Sequence, residues 1–569
     1  MRTSRRLGSS LAFLVVALGS RSALATVINV SPADGNTGYT KIEGANPGDE
    51  VILAPGTYPF RVYLTQTAPA NNPIYIHSQD PSNPAIVDLS GGTGALVDNA
   101  PGSYTAGDKA RGCWQLSGAT NIHIDGIVFQ NCHAASNDSA GIRYYNGSTG
   151  VLLTNSLFKA NDNGLTGGTL GGAGGNTQCD ATVEWSEFDG NGNLAASSSS
   201  PTHNIYIYGG NFTLRYSYLH DPIQGQNLHC RAITSSIEYN WLARAKSYAG
   251  DLMTNDDYAN NPVGSITQTM TMVGNVFNQG STQANDGQVW AVYNDEASGS
   301  PVTFRITMNY NTLVGAGGHA AMLHLSNADA TEMDSIFANN VVSGTSVATL
   351  IEDSSHAALI GGTNWMQTGT PVGSLTGTVF GSSPGFSNAA SLDFVPTAAS
   401  ACVGAANDTV SPVPLQEYYE NETVTREYRQ RATAKDIGAF EHDTSGAGIG
   451  PYMGVDGGIV ESLDSGTPGS DGGTVTGQDG GVVVGRDGGS GGTGDAGSGT
   501  HGKDGGSGGQ GSKDGGFTVF DGGLHGDGVP PTSSSSGCSC RLGGAGEVAG
   551  GGAWVLGVVG LVIRRRRRS

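Results

Sequence analysis

Charge is scarce in this chain of 569 residues: Asp, Glu, Lys and Arg together make only 14% of it. Coiled coils and long helices are built from those residues with Ala and Leu, so both are excluded. Basic residues are the scarcer sign, 28 Lys and Arg against 49 Asp and Glu. That excludes a nucleic-acid binder that works through a basic face. There is no P-loop, no Gly-x-Ser-x-Gly elbow and no His-Glu-x-x-His zinc site. No Cys-x-x-Cys zinc pattern occurs among the cysteines of the central region. No apolar run reaches the ~20 residues that a stable membrane span needs.

Glycine is what the chain has in excess, 91 residues, and its distribution divides the sequence into four parts. Residues 1–25 carry a basic start, a short apolar run from Leu11 to Leu18 and the small-x-small site Ala23-Leu24-Ala25. This is the pattern of a secretory signal peptide cut before Thr26. Residues 26–443 hold 15 bases and 37 acids and are long enough to bury a sizeable core. Residues 444–537 contain 34 glycines, with Asp-Gly-Gly recurring from Asp456 to Asp521. With almost nothing apolar to bury, this stretch reads as a flexible hydrated linker. Residues 538–569 contain Cys538-Ser539-Cys540, an apolar stretch from Val548 to Ile563, and the cluster Arg564 to Arg568.

Five cysteines fall in the central region: Cys113, Cys132, Cys179, Cys230 and Cys402. The odd count leaves at least one unpaired within it. Export permits disulfides, and the sequence does not assign them.

One pattern organises the central region. Ser or Asn, once replaced by Ile, recurs at Ile127, Ser156, Ser186, Ser217, Asn240, Asn275, Asn311 and Asn340. Two places after each stands an apolar residue: Phe129, Phe158, Phe188, Leu219, Leu242, Phe277, Leu313 and Val342. The intervals, 29, 30, 31, 23, 35, 36 and 29 residues, are those of a repeat architecture. They are too short and too uneven for propeller blades of about 40–45 residues. The expected fold is all-β, a single parallel β-helix in which the apolar column stacks inside and the Ser/Asn column sits at a turn. A monomer is expected.

The segments Pro47 to Tyr58 and Asn72 to His77 resemble the opening of the pectate-lyase-like right-handed β-helix superfamily. Asp393-Phe394-Val395-Pro396 and Asp436 to Glu441 resemble the closing segments of such bacterial proteins. This resemblance covers roughly 27–441 and implies a right-handed β-helix. It is less informative about reaction, because the fold carries lyases, hydrolases, esterases and non-catalytic surface proteins. The C-terminus resembles the myxobacterial C-terminal sorting signal. That resemblance implies sorting machinery, processing or lipidation at Cys538 or Cys540, attachment to the membrane through the C-terminal segment, and a final place at the cell surface.

The richest stretch is 203–257. Aligning it by the repeat places Ile205 over Leu228, Tyr206 over His229, Ile207 over Cys230 and Tyr208 over Arg231. Side chains alternate along a strand, so Tyr206, Tyr208, His229 and Arg231 are expected to point outward together. Two aromatic platforms beside an imidazole and a guanidinium suit sugar rings and a uronate carboxylate. The stretch is similar to a group of bacterial β-helix proteins classed with polysaccharide lyases. His203-Asn204-Ile205-Tyr206, then His220, then Arg231-Ala232 match that group, and His229 replaces its Lys. A uronate lyase would use His229 as base, Arg231 as carboxylate neutraliser, and Tyr206 or His203 as acid. Arg244 and Lys246 are candidate extensions of the cationic site, and Trp290 and His324 of the exposed column. Asp221, Asp251, Asp256 and Asp257 are candidate ligands for Ca²⁺, which would offset the acidic field toward a polyuronate. Asn255-Asp256-Asp257 faintly resembles part of a galacturonan hydrolase signature, but no Gly-His-Gly follows. The rival to a lyase is a non-catalytic module that binds glycans through the same strip.

Overall fold

The computed structural model describes residues 25–90, 111–134, 139–168, 179–196, 201–254, 266–279, 289–293, 302–315, 321–326, 333–344, 349–352, 357–418 and 428–450. The signal-peptide, linker and sorting-signal assignments, with Cys538 and Cys540, lie outside the described residues, apart from the linker's first few positions. So do Asp256 and Asp257.

The chain winds through three long sheets, and each full turn adds one strand to each. The first sheet has 12 strands, from Val27–Val30 to Ala357–Ile360. The second also has 12, from Gly56–Tyr58 to Val379–Gly381. The third has 10, from Val62–Leu64 to Thr349–Glu352. All pairings within these sheets are parallel, as Ile205↔Leu228 and Leu214↔Ile237 illustrate. This is the parallel β-helix that the repeat implied, with the right-handed winding that the resemblance implied. A short helix, Gly38–Glu43, buries Ile42 against the first turns.

The interior follows from the apolar column. Phe129 stacks on Phe158 at 5.3 Å and Phe158 on Phe188 at 4.5 Å, with near-parallel rings. Leu219, Leu242, Phe277 and Leu313 continue the same register. All are fully buried.

The Ser/Asn column marks the corner between the first and second sheets. The residue before each member has a left-handed backbone: Asn155, Trp185, Tyr216, Tyr239, Tyr310 and Asn339 all lie at φ between 45° and 56°. Such a corner turns the chain sharply and strands backbone groups inside. The ladder satisfies them. Asn275 Nδ2 donates to Ile237 O at 2.7 Å and to Asn311 Oδ1 at 2.9 Å, while Asn275 Oδ1 accepts from Asn240 N at 3.0 Å. The same bonds repeat at Asn311 and Asn340 and end on Asn364. Earlier in the chain serine does this work, as when Ser186 Oγ accepts from Ser156 N at 3.3 Å.

The sequence pattern missed a second ladder, where the second sheet turns toward the third. Asn161 donates to Asn191, Asn191 to Asn204 and Asn204 to Asn227, at 2.8–2.9 Å. Asn191 and Asn204 belong to the same turn, so their bond closes off the excursion between them. The excursion makes the spacing irregular and hides the ladder from a periodicity search.

The closing segments lie along the side of the solenoid. Phe394, Tyr418 and Phe440 pack around Trp241. Tyr428 packs edge-on to Tyr216, and Tyr310 Oη donates to Ala434 O at 2.8 Å. The aromatic residues at the corners are therefore a docking rail for the C-terminal strap. Cys113 and Cys132 form a disulfide, and Cys179, Cys230 and Cys402 are buried.

Candidate functional site

The third sheet carries the expected register, with Tyr206 paired to His229 and His229 to Asp251. Toward the N-terminus the same outward column runs through Thr166, Arg143, Gln115 and Tyr63. Arg143, which sequence reasoning passed over, lies over the Tyr145 ring at 4.8 Å.

The side chains of 203–231 do not form the open strip that alternation alone suggested. They point away from the apolar core but are covered: His203 is 1% exposed, His229 3% and Arg231 1%. Tyr208 is buried and only Tyr206 is half-buried. The reason is mutual packing. The His203 and His229 rings stack at 4.7 Å, and the Tyr206 ring stands edge-on to both.

A polar chain runs through this cluster. His229 Nδ1 lies 2.8 Å from Asp251 Oδ2. Arg231 Nε donates to His229 Nε2 at 3.2 Å, and Arg231 Nη1 donates to Thr254 O at 2.8 Å. A guanidinium only donates, so Nε2 is the acceptor and the imidazole proton sits on Nδ1, directed at the carboxylate. Asp251 also accepts from Gln226 Nε2 at 2.9 Å and from Cys230 N at 3.1 Å. The buried carboxylate and guanidinium thus compensate each other through a neutral imidazole. Asp251, expected as a calcium ligand, is instead the group that orients His229.

Other expectations separate from this cluster. Trp290 aligns with Gly250 and Leu228, which puts it in the core, fully buried. A Cβ at residue 250 would come within 2.3 Å of the indole, so the glycine makes room for it. The position beside Asp251 is Ala291, and His324 follows in register; the placement of the His324 side chain lies outside the description. Arg244 turns away toward the second sheet, where Nε and Nη2 hold Asp221 at 2.8 and 2.7 Å. It does not extend the cationic site. Lys246 is exposed in the connection between Trp241–Ala243 and Gly250–Met253. Asp221 and Asp251 therefore belong to different networks.

Asp221 belongs with His220, Glu187 and Asp189 on the outer side of the second sheet. His220 Nδ1 is 2.8 Å from Asp221 Oδ2, and its Nε2 is 3.2 Å from Glu187 Oε1. Ligand atoms of Glu187, Asp189 and His220 lie within 4.8 Å of one another. They could hold a metal ion by geometry, but one ring nitrogen and two carboxylates are a poor match to the all-oxygen shell of calcium. Lys159 also pairs with Asp189 at 2.7 Å. Burial alone would lower the His220 pKa, but the hydrogen bonds to Asp221 and Glu187 and the nearby Asp189 charge raise it to about 9.

That shift has a sign. An unfolded histidine titrates near 6.5, so between about 6.5 and 9 the folded chain binds more protons than the unfolded one. The His220 contribution is complete below the lower value and is lost as pH rises through the higher. Denaturant melts of the wild type should lose stability across this window, with a limiting slope of about 1.4 kcal/mol per pH unit. His220→Gln should flatten that dependence. An unchanged slope would show that His220 is not held as the cation.

No protein-family model matches the chain, and no curated protein matches it. Solved structures do. A pectate lyase, Pel9A, is similar at 14% identity and TM-score 0.44, over 74% of this chain and 97% of its own. An alginate lyase from Paenibacillus sp. str. FPU-7 is similar at 14% identity and TM-score 0.39, over 58% of this chain and 99% of its own. A GH136 lacto-N-biosidase from Eubacterium ramulus is similar at 12% identity and TM-score 0.35, over 62% of this chain and 68% of its own. At these values the likeness concerns the winding of the backbone, and the chemistry of this chain is argued from its own residues.

Proposed function

We propose that this chain is an exported, surface-anchored carbohydrate-active protein that cleaves uronate-containing polysaccharides by β-elimination. The observation that carries this reading is the Asp251–His229–Arg231 chain, with Tyr206 at its outer edge. A uronate carboxylate that pairs with the Arg231 guanidinium draws Nε away from His229 and frees the Nε2 lone pair. His229 then takes the proton α to the carboxylate, with Asp251 stabilising the imidazolium. The electron pair left behind forms the new carbon–carbon double bond as the β carbon–oxygen bond breaks. The departing oxygen takes the Tyr206 hydroxyl proton. The signal peptide, linker and C-terminal sorting signal would place this activity at the cell surface on a flexible tether.

A second reading is favoured by one observation, the near-complete burial of His229 and Arg231. In it the protein binds glycan without cutting it, and the polar chain only stiffens the third sheet. Product chemistry separates the two. Incubation of the whole protein with polygalacturonate, polymannuronate and polyguluronate, with calcium and with a chelator, should release ultraviolet-absorbing unsaturated sugars from at least one. Binding without new chain ends would favour the second reading.

A further inference from the structure

His203 is set apart from His229 by its hydrogen bonds. Its Nδ1 accepts from Gln226 N at 3.1 Å, because a backbone N–H can only donate. The neutral ring therefore carries its proton on Nε2. Burial holds the pKa of His203 well below the ordinary histidine range, and the neighbouring His229 adds to that, so the neutral form is the one present near pH 7. Nε2 is buried and has no hydrogen-bond partner among the described residues.

Gln226 is the complementary case. Its Nε2 donates to Asp251, which fixes the orientation of the amide, and its Oε1 is buried without a partner among the described residues. The two residues stand side by side in the segments that lead into the adjacent strands Ile205–Ile207 and Leu228–Cys230, since Asn204 N donates to Gln226 O at 3.2 Å. Gly225 lets the strand pass this close: a Cβ there would come within 2.5 Å of His203 Nδ1, and its φ of 64° suits glycine. Asn204, anchored in the second ladder, holds the backbone next to His203 in place.

One buried orphan donor and one buried orphan acceptor each cost about 1–3 kcal/mol until something pairs with them. A carboxylate can accept from His203 but has nothing to give Gln226 Oε1, and it would meet the negative Asp251 beside it. A hydroxyl both accepts and donates, and it carries no charge.

We propose that His203 Nε2–H and Gln226 Oε1 form a subsite that reads sugar hydroxyls, the first donating to a hydroxyl oxygen and the second accepting a hydroxyl proton. The inference rests on the reading of this cluster as a glycan site, and it deepens that reading by assigning the two ends. Carboxylates are taken at the Arg231 end and hydroxyls at the His203 end.

The test is equilibrium binding of tetragalacturonate and tetramannuronate to the full-length protein by calorimetry. His203→Asn keeps an acceptor for Gln226 N, because the asparagine Oδ1 takes the place of Nδ1, but removes the Nε2–H. It also removes the stack on His229, which lowers the Tm, but it should stay folded and weaken binding at least about tenfold. His203→Gln, which restores an N–H near the Nε2 position, should recover part of the loss. Should His203→Asn fail to fold, the imidazole ¹⁵N–¹H signal of His203 in the wild type is read instead, and it should shift when tetrasaccharide is added. Unchanged affinity in a folded His203→Asn, no binding of either tetrasaccharide by the wild type, or an unmoved imidazole signal overturns the proposal. Failure of the lyase reading looks different: His203-dependent binding with no unsaturated product removes elimination and leaves the subsite standing.

Discussion

Replacing His229 with alanine is expected to lower kcat on the cleaved uronate polymer by about 10²–10⁴-fold, the usual cost of losing a general base. KM should change little, because the imidazole meets the substrate proton only as the reaction proceeds. Arg231 behaves differently. The carboxylate it neutralises is charged before reaction as well as in the transition state, so Arg231→Lys should damage both KM and kcat. Lysine keeps the charge but has no planar fork to bridge a carboxylate and no Nε to hold His229. The variant also leaves Thr254 O short of a donor, so folding is checked by circular dichroism before the kinetics are read. Steady-state elimination followed by absorbance makes the measurement. If both variants stay folded and keep wild-type rates, the chemistry does not occur at this cluster.

The second large effect is on stability. Asn275→Ala should cost roughly 1–3 kcal/mol, because it leaves Asn240 N buried without a partner and takes one of two acceptors from Asn240 Nδ2. Against a typical total of about 5–15 kcal/mol, that is a large fraction of the stability and should lower the Tm measurably. The chain supplies its own control. Serine already occupies this column at Ser156, Ser186 and Ser217, where Oγ accepts from the backbone N–H of the preceding turn. Asn275→Ser should therefore cost clearly less than Asn275→Ala in urea melts. Equal losses would mean that the ladder's hydrogen bonds do not decide the stability of the corner.

The solenoid was legible because its two informative columns are local. The Phe129–Phe158–Phe188 stack and the Ser/Asn ladder each recur at nearly one turn of chain, so spacing alone exposes them. The second ladder was not legible, because the excursion between Asn191 and Asn204 falls inside the repeat. The register of Tyr206 on His229 was readable for the same reason as the ladders. What covers those residues was not. Alternation says which side of a strand a residue leaves from, and says nothing of what packs above it.

The misassigned residues share this cause. Trp290 is expected to continue the exposed column, but its parity with Gly250 and Leu228 puts it in the core. Arg244 and Asp221 were grouped with the site by nearness in sequence. The left-handed residues Asp221 and Arg244 instead follow strands of the second sheet and bring the two side chains together there. Asp251 was recognised as a carboxylate of interest but not as the partner of His229, although it sits one turn further along the same column. Gln226 was passed over because glutamine gives no catalytic signal in a sequence, and its meaning comes only from the orientation that Asp251 imposes.

If the Asp251–His229–Arg231 chain performs elimination on a uronate polymer, the products must carry its mark. Mass spectrometry of the chain ends released by the wild type and by His229→Ala tests it most directly. Elimination leaves a new non-reducing end that is one water lighter than the end hydrolysis would leave. Such ends are expected from the wild type and should be nearly absent from a folded His229→Ala. Saturated ends, no new ends, or unsaturated ends produced equally by both proteins would contradict it.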